Sequence, residues 1–264
     1  MQNVRLYGSA PYTVAVVHGG PGAPGSMAPV ARALASYGFG VLEPLQTAGS
    51  VDGQVNELYD VLRTHGKLPI TLIGWSWGAM LGFITTARHP DAVRKLILVS
   101  SGVYENQYAP SIMETRLSRL NDAERAAINE AFQRLDNPDD PDRDAALAFI
   151  GSVLKTKTDS FDLIADPDQD VIEVHSDIHN AVWAEASTLR ECGELVALGR
   201  SIRCPVVALH GDYDPHPVAG IQEPLSSVLD DFRLITLNRC GHYPWQERYA
   251  REAFFALLRQ ELGS

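Results

Sequence analysis

Cysteine is scarce in this chain, with three residues (Cys192, Cys204 and Cys240) in 264. An odd number at long spacings builds no disulfide framework and no C-x-x-C motif, so reduced, mostly buried and inert thiols in a cytoplasm are expected. Long apolar runs are missing too. No stretch approaches the roughly 20 residues of a bilayer span. Residues 1–10 lack the basic start and apolar run of a secretory signal, so a membrane partner is not expected and a cytoplasmic location is. Positive charge is in deficit: 22 Lys+Arg face 33 Asp+Glu, a formal net charge of −11. Nucleic acid is therefore not an expected partner, because phosphate binding needs a basic face. Internal repeats and low-complexity linkers are absent as well. What remains, 45% hydrophobic and 21% charged residues, is the balance of a globular protein with a substantial core.

From residue 12 the chain alternates strand and helix. Tyr12–Val17 is a β-branched run that predicts a buried strand ending at His18. Ser26 is placed to cap a helix over residues 27–37, stopped by Gly38, and residues 40–42 read as a short strand. Ser50 caps a second helix whose Val51, Val55, Leu58 and Leu62 share one face. Strands over 70–73 and 96–99 flank a helix over 77–89. After Arg203 the alternation resumes: a strand over 205–210, a helix near 224–229, a strand over 233–237 and a last helix over 248–262. Repeated strand–helix–strand units imply an α/β fold, with a mostly parallel sheet covered by helices on both faces.

Residues 103–200 break the rhythm with mainly helical patterns, which predicts a helical cap inserted between core segments 1–102 and 201–264. This insertion holds 20 acidic and 9 basic residues, a net of −11, while the remaining 13 of each sign cancel. All the formal charge therefore sits in the cap, where it either solvates a surface or attracts a cation.

Gly74-Trp75-Ser76-Trp77-Gly78 follows a strand and opens a helix. G-x-S-x-G in that context predicts a tight elbow that exposes the Ser76 hydroxyl above the sheet, with the next N–H, that of Trp77, free to stabilise an oxyanion. His18-Gly19-Gly20-Pro21-Gly22 lies after an earlier strand. Its glycines let backbone approach a reacting carbonyl, and its N–H groups can supply a second donor. A phosphate loop would need a G-K-[ST] ending, which is absent. His18 reads as a loop-bonding residue. A serine nucleophile needs a base and an orienting acid. His242, after the last strand, is the base candidate. The acid lies in Gly211-Asp212-Tyr213-Asp214-Pro215, with Asp214 favoured because it lies farther out from the strand end and Asp212 as the alternative. His210 and His216 flank the same loop and read as local hydrogen-bonding residues. The order Ser76…Asp214…His242 is that of α/β-hydrolases.

His175 and His179, four apart, could face one way on a helix as metal ligands. Position 176 is serine, so no H-E-x-x-H exists, and a serine triad needs no metal. No metal and no cofactor are expected.

H-G-G-P-G and G-W-S-W-G, with the late G-D-Y-D and G-H segments, resemble the proline iminopeptidase branch of the α/β-hydrolase superfamily over residues 12–102 and 203–262. The resemblance implies Ser76, Asp214 and His242 as the catalytic triad, and the N–H groups of Gly20 and Trp77 as the oxyanion hole. Trp75 stands where that branch commonly has glycine, and the region ahead of His18 is short, as if the opening strand pair were abbreviated. Val182-Trp183-Ala184-Glu185-Ala186 resembles the family's Trp–Glu cap segment with one extra residue between the two. It implies Glu185 and Trp183 as substrate-binding residues, Glu185 holding a free amine.

The expected function is cleavage of an ester or amide in a small molecule or short peptide through an acyl-enzyme, with N-terminal proline a candidate substrate. A carboxylesterase or carbon–carbon bond hydrolase with the same triad is the alternative enzyme. A non-catalytic small-ligand receptor is the alternative of another class. A dehalogenase or epoxide hydrolase would need aspartate at position 76.

Overall fold

The computed structural model describes residues 3–165, 168, 170 and 173–263. Seven strands form one sheet: β1 (Val4–Tyr7), β2 (Tyr12–Val17), β3 (Gly40–Pro44), β4 (Ile70–Trp75), β5 (Val93–Val99), β6 (Val206–Gly211) and β7 (Phe232–Leu237). Their order is β1-β3-β2-β4-β5-β6-β7. All pairings are parallel except β1 with β3. Composition alone did not reveal the four-residue edge strand β1, too short to carry a periodic signal.

Helices α1 (Ala28–Ser36), α2 (Val51–His65) and α3 (Trp77–Arg88) fill the crossovers of the first half, α9 (Ala219–Ser226) lies between β6 and β7, and α10 (Arg251–Gly263) follows β7. Strand residues alternate between two cores. Ala15, Val17, Leu72, Leu96 and Leu98 pack with α2 and α3 on one face, while Val14, Val16, Ile73, Ile97 and Val99 pack with α1 and α10 on the other. This two-sided burial explains why the strands read as continuous apolar runs. A fully buried Val, Leu or Ile contributes about 1.5–3 kcal/mol.

Two helix boundaries differ from expectation for identifiable reasons. Ser26 does not cap α1; its Oγ accepts the Gly19 N–H at 3.3 Å and holds the glycine loop instead. Helix α9 starts five residues before Pro224, which lies inside it. Proline cannot bond the carbonyl four residues back, and that carbonyl, on Gly220, accepts the Tyr104 N–H at 3.1 Å instead. Ser50 caps α2 as expected, accepting the Gly53 N–H at 3.1 Å.

Between β5 and β6 the chain is helical: α4 (Ala109–Ser118), α5 (Asp122–Asp136), α6 (Arg143–Val153), α7 (Ser176–Glu191) and α8 (Glu194–Ala197), with a π-helical turn at Leu154–Thr158. Helices α5 and α6 share a small core of their own around Ile128, Leu135, Leu147 and Ile150. Helix α7 joins the main core through Val182 and Ala186. Among the described residues no helix is long and apolar enough to cross a membrane. All three cysteines are free, but one expectation is corrected: Cys192 is exposed, because it ends α7 at the turn made by Gly193 on the surface.

Helix α3 crosses β2 so closely that a Cβ on Gly78 would lie 2.3 Å from the carbonyl oxygens of both Val17 and His18. Backbone cannot yield as a side chain can, so Gly78→Ala should cost about 1–3 kcal/mol or more. Gly151, on an exposed face of α6 with nothing within 4 Å of a Cβ, should instead gain up to about 1 kcal/mol as alanine. Urea midpoints of the two variants test this contrast.

Candidate active site

Parallel register sets the site at the carboxyl ends of the central strands. Val17 of β2 sits opposite Gly74 of β4, so the loop after His18 lies beside the turn that carries Ser76. Gly211 of β6 sits opposite Leu237 of β7, which brings the loops bearing Asp214 and His242 together. Ligand sites of open α/β sheets form at such carboxyl edges.

Ser76 has φ 55° and ψ −119°, a left-handed conformation for a residue with a Cβ. Such strain costs about 1–3 kcal/mol and persists only when its surroundings over-determine it. Here they do: the Ser76 N–H bonds the Val99 carbonyl of β5 at 3.0 Å, and α3 begins at the next residue. Gly19 passes under this turn. A Cβ there would meet the Trp75 ring at 2.4 Å and the Ser76 Cβ at 3.0 Å, so only glycine lets the loop lie this close. Among the described residues, neither the Gly20 nor the Trp77 backbone N–H has a hydrogen-bond acceptor. His18 is fully buried and bonds the loop as expected. Its Nδ1 lies 2.9 Å from the Gly19 carbonyl, and its Nε2 accepts the Gln46 N–H at 3.1 Å.

The Asp214 carboxylate is buried and divided between two histidines. Oδ2 lies 2.7 Å from His242 Nδ1. Oδ1 lies 2.7 Å from His216 Nδ1 and accepts the His216 N–H at 2.9 Å. Burial opposes ionisation, but His242, His216 and His210 around it outweigh that and hold the carboxyl well below its usual range. Asp212 is engaged elsewhere, accepting the Cys240 N–H at 3.1 Å. His216 also stacks on the His242 ring, with centroids 4.7 Å apart. His210 and His216 bond locally, His210 Nε2 lying 2.8 Å from the His216 carbonyl. Asp214, His216 and His242 are the one described group close enough to resemble a metal site, and hydrogen bonds between them account for their approach. His175 precedes α7, while His179 lies on it with Nδ1 3.2 Å from the Pro21 carbonyl.

Sequence reasoning missed how His242 is braced. The Trp75 indole N–H donates to the His242 carbonyl at 2.8 Å, and its ring packs on those of His242, Tyr243 and Trp245. An aromatic beside the serine, where glycine is usual, was the available signal. From the other side the His242 N–H donates to the Asp159 carbonyl at 2.6 Å. The Asp159 carboxylate is held by both arms of Arg116 on α4, at 3.0 and 2.6 Å. Such a reach from residue 159 to 242 leaves no sequence signal.

A cavity of about 850 Å³ lies between the sheet edge and the helices that precede β6. Its walls are mostly apolar and include Gly20 and Trp183. Trp75 and Tyr243, chain neighbours of Ser76 and His242, line it as well. Trp183 also makes an edge contact with Trp77 at 5.7 Å. Glu185 is placed elsewhere. It is exposed, outside the cavity, and its carboxylate accepts the Val51 N–H at 2.7 Å at the start of α2. With Val182 and Ala186 facing the core, Glu185 falls on the rim of α7 against a helix N-terminus, whose free N–H groups attract a carboxylate.

The alpha/beta hydrolase fold family matches residues 12–244. The chain belongs to this family. A pimeloyl-(acyl-carrier protein) methyl ester esterase of Chromobacterium violaceum is 25% identical over 186 residues, which cover 70% of this chain and 68% of the relative. The crystal structure of VinJ superposes with a TM-score of 0.71 at 19% identity, over 98% of this chain and 94% of that one. Proline iminopeptidase of Mycobacterium smegmatis superposes with a TM-score of 0.63 at 19% identity, over 98% and 93%. At such identities these superpositions speak for the fold.

Burial brings His18, His179 and His216 down to about 4, so each is neutral near pH 7. Their ring resonances should therefore stay unchanged from pH 8 to about 5.5, as proton–nitrogen correlation spectra can follow. Titration of any of the three near the free-imidazole value of about 6.5 would contradict the buried geometry.

Proposed function

We propose that this chain is a serine hydrolase of the carboxylesterase type, with Ser76 as nucleophile, His242 as base and Asp214 as orienting acid. The observation that carries the reading is the strained Ser76 turn set in one sheet edge with the 2.7 Å Asp214–His242 contact. Each feature costs stability on its own, the first as backbone strain and the second as a buried charge, and together they have a chemical use. The esterase named among the relatives agrees with it. Residues 103–200 act as the cap that closes the cavity.

In the proposed reaction His242 takes the Ser76 proton as Oγ attacks the ester carbonyl. Asp214 fixes the imidazole tautomer and stabilises the imidazolium. The carbonyl oxygen, now an oxyanion, accepts the free N–H groups of Gly20 and Trp77; losing one such donor typically costs about 10²–10³ in rate. Collapse expels the alcohol with the proton from His242. Water then repeats the sequence on the acyl-enzyme and releases the acid. His216 occupies the second Asp214 oxygen, so the carboxylate cannot rotate away from His242.

The aminopeptidase form of the reading lacks its anchor, since Glu185 is bound at α2 outside the cavity. An aryl ester should accordingly be turned over far faster than a prolyl arylamide, and Glu185→Gln should leave the ratio of the two unchanged. Ser76→Ala should remove nearly all ester turnover. Asp214→Asn should lower kcat by up to about 10⁴, the scale of a wrongly held tautomer, and Asp212→Asn much less. Steady-state kinetics of the folded variants checks this. Faster arylamide cleavage, or Asp212→Asn as the more damaging change, would contradict the assignment.

A further inference from the structure

Inside an acidic cap, the cavity wall carries a cation without a counter-charge. Three described charged side chains besides His179 line it: Arg116, Asp170 and Lys155. Arg116 is neutralised by Asp159, and Asp170 by Arg5. Lys155 has no carboxylate within ion-pair distance among the described residues. Its Nζ lies 5.4 Å from the centre of the Tyr243 ring, and Tyr243 in turn contacts the His242 ring edge-on at 5.4 Å. The ammonium therefore stands one aromatic ring away from the imidazole. It reaches that place from the π-helical turn at Leu154–Thr158, a distortion often found at functional sites. Burial pushes the Lys155 ammonium below its ordinary value, with no neighbouring carboxylate offsetting the loss of hydration. A cation over an aromatic face recovers only part of its lost hydration, which leaves the group short of hydrogen-bond acceptors.

We propose that Lys155 is the specificity-determining residue of the cavity and selects esters whose acyl chain ends in a carboxylate, seating that carboxylate beside Tyr243 while the ester carbonyl lies at Ser76. The inference rests on the serine hydrolase reading and names its substrate class. It reverses the expectation of a free-amine substrate, because the charge awaiting a partner in the cavity is positive. The exterior charge of −11 does not decide the matter. Exposed charges fade over about 8 Å at physiological salt, whereas a desolvated charge-assisted hydrogen bond keeps about 1.5–3 kcal/mol.

The test compares two p-nitrophenyl esters of equal acyl length, the pentanoate and the hemiglutarate, which carries a terminal carboxylate. In Lys155→Met the ratio of kcat/KM for the hemiglutarate to that for the pentanoate should fall about ten- to a hundredfold, mostly through KM, the scale of one charge-assisted hydrogen bond. Lys155→Arg should keep the ratio within a few fold, and Lys155→Gln serves if the Met variant folds poorly. An unchanged ratio in the Met or Gln variant overturns the proposal. Tryptophan fluorescence of Ser76→Ala protein, titrated with monomethyl and dimethyl glutarate, reads the same preference without turnover. Weaker binding of the monomethyl ester relative to the dimethyl ester on Lys155→Met supports it, and equal weakening overturns it. If neither p-nitrophenyl ester is hydrolysed by the wild type, the serine hydrolase reading fails while the titration still decides the role of Lys155.

Discussion

The conformation of Ser76 is the constraint on which the site depends. A residue with a Cβ is held at φ 55° where β4 turns into α3, and three elements are shaped to keep it there. Strand β5 supplies the acceptor for its N–H, Gly78 lets the helix lie on the carbonyls of β2, and Gly19 lets the neighbouring loop pass beneath Trp75. Strain of this kind is stored by cooperative packing and released only if the packing loosens. The free N–H group at Trp77 follows from the same geometry, because the first turn of a helix has no upstream acceptors.

The second half of the site is a chain of hydrogen bonds from α4 to the sheet edge. Arg116 on α4 holds the Asp159 carboxylate, the Asp159 carbonyl holds the His242 N–H, and Asp214 holds the His242 ring. A buried pair such as Arg116–Asp159 is worth little net stability but is costly to break, about 3–5 kcal/mol when one partner is removed. It therefore specifies a position more than it stabilises a fold. The same economy explains the acidity of residues 103–200. Many of those carboxylates are engaged with arginines, as in Asp140 and Asp142 with Arg134, Asp162 with Arg248, and Asp168 with Arg32. Glu185 belongs with them as the partner of a helix N-terminus.

What the sequence made legible was what local chemistry determines. Strands buried on both faces are apolar runs, so Tyr12–Val17 and the central strands stood out, and G-x-S-x-G between a strand and a helix located Ser76. Chain order then picked out Asp214 and His242, and the structure sets Asp214 rather than Asp212 beside the imidazole. Contacts across long separations stayed hidden. Nothing local marks Asp159 as the acceptor for residue 242, or Ser26 as a support for Gly19 rather than a helix cap. Lys155 was invisible for the same reason, since a π-helical turn and not a periodic face carries it to the cavity. Glu185 failed in the opposite way, because a matching residue type on the right helix fell on the wrong side of it.

The central proposal, that Ser76 on the strained turn is a nucleophile served by His242, is tested most directly by covalent trapping. Treatment of the folded protein with a fluorophosphonate, followed by intact-mass measurement and peptide mapping, should give one adduct per chain. The adduct should sit on the peptide that holds Ser76, and neither Ser76→Ala nor His242→Ala should form it at a comparable rate. Absence of any adduct on folded wild-type protein, or equal labelling in His242→Ala, would contradict the account.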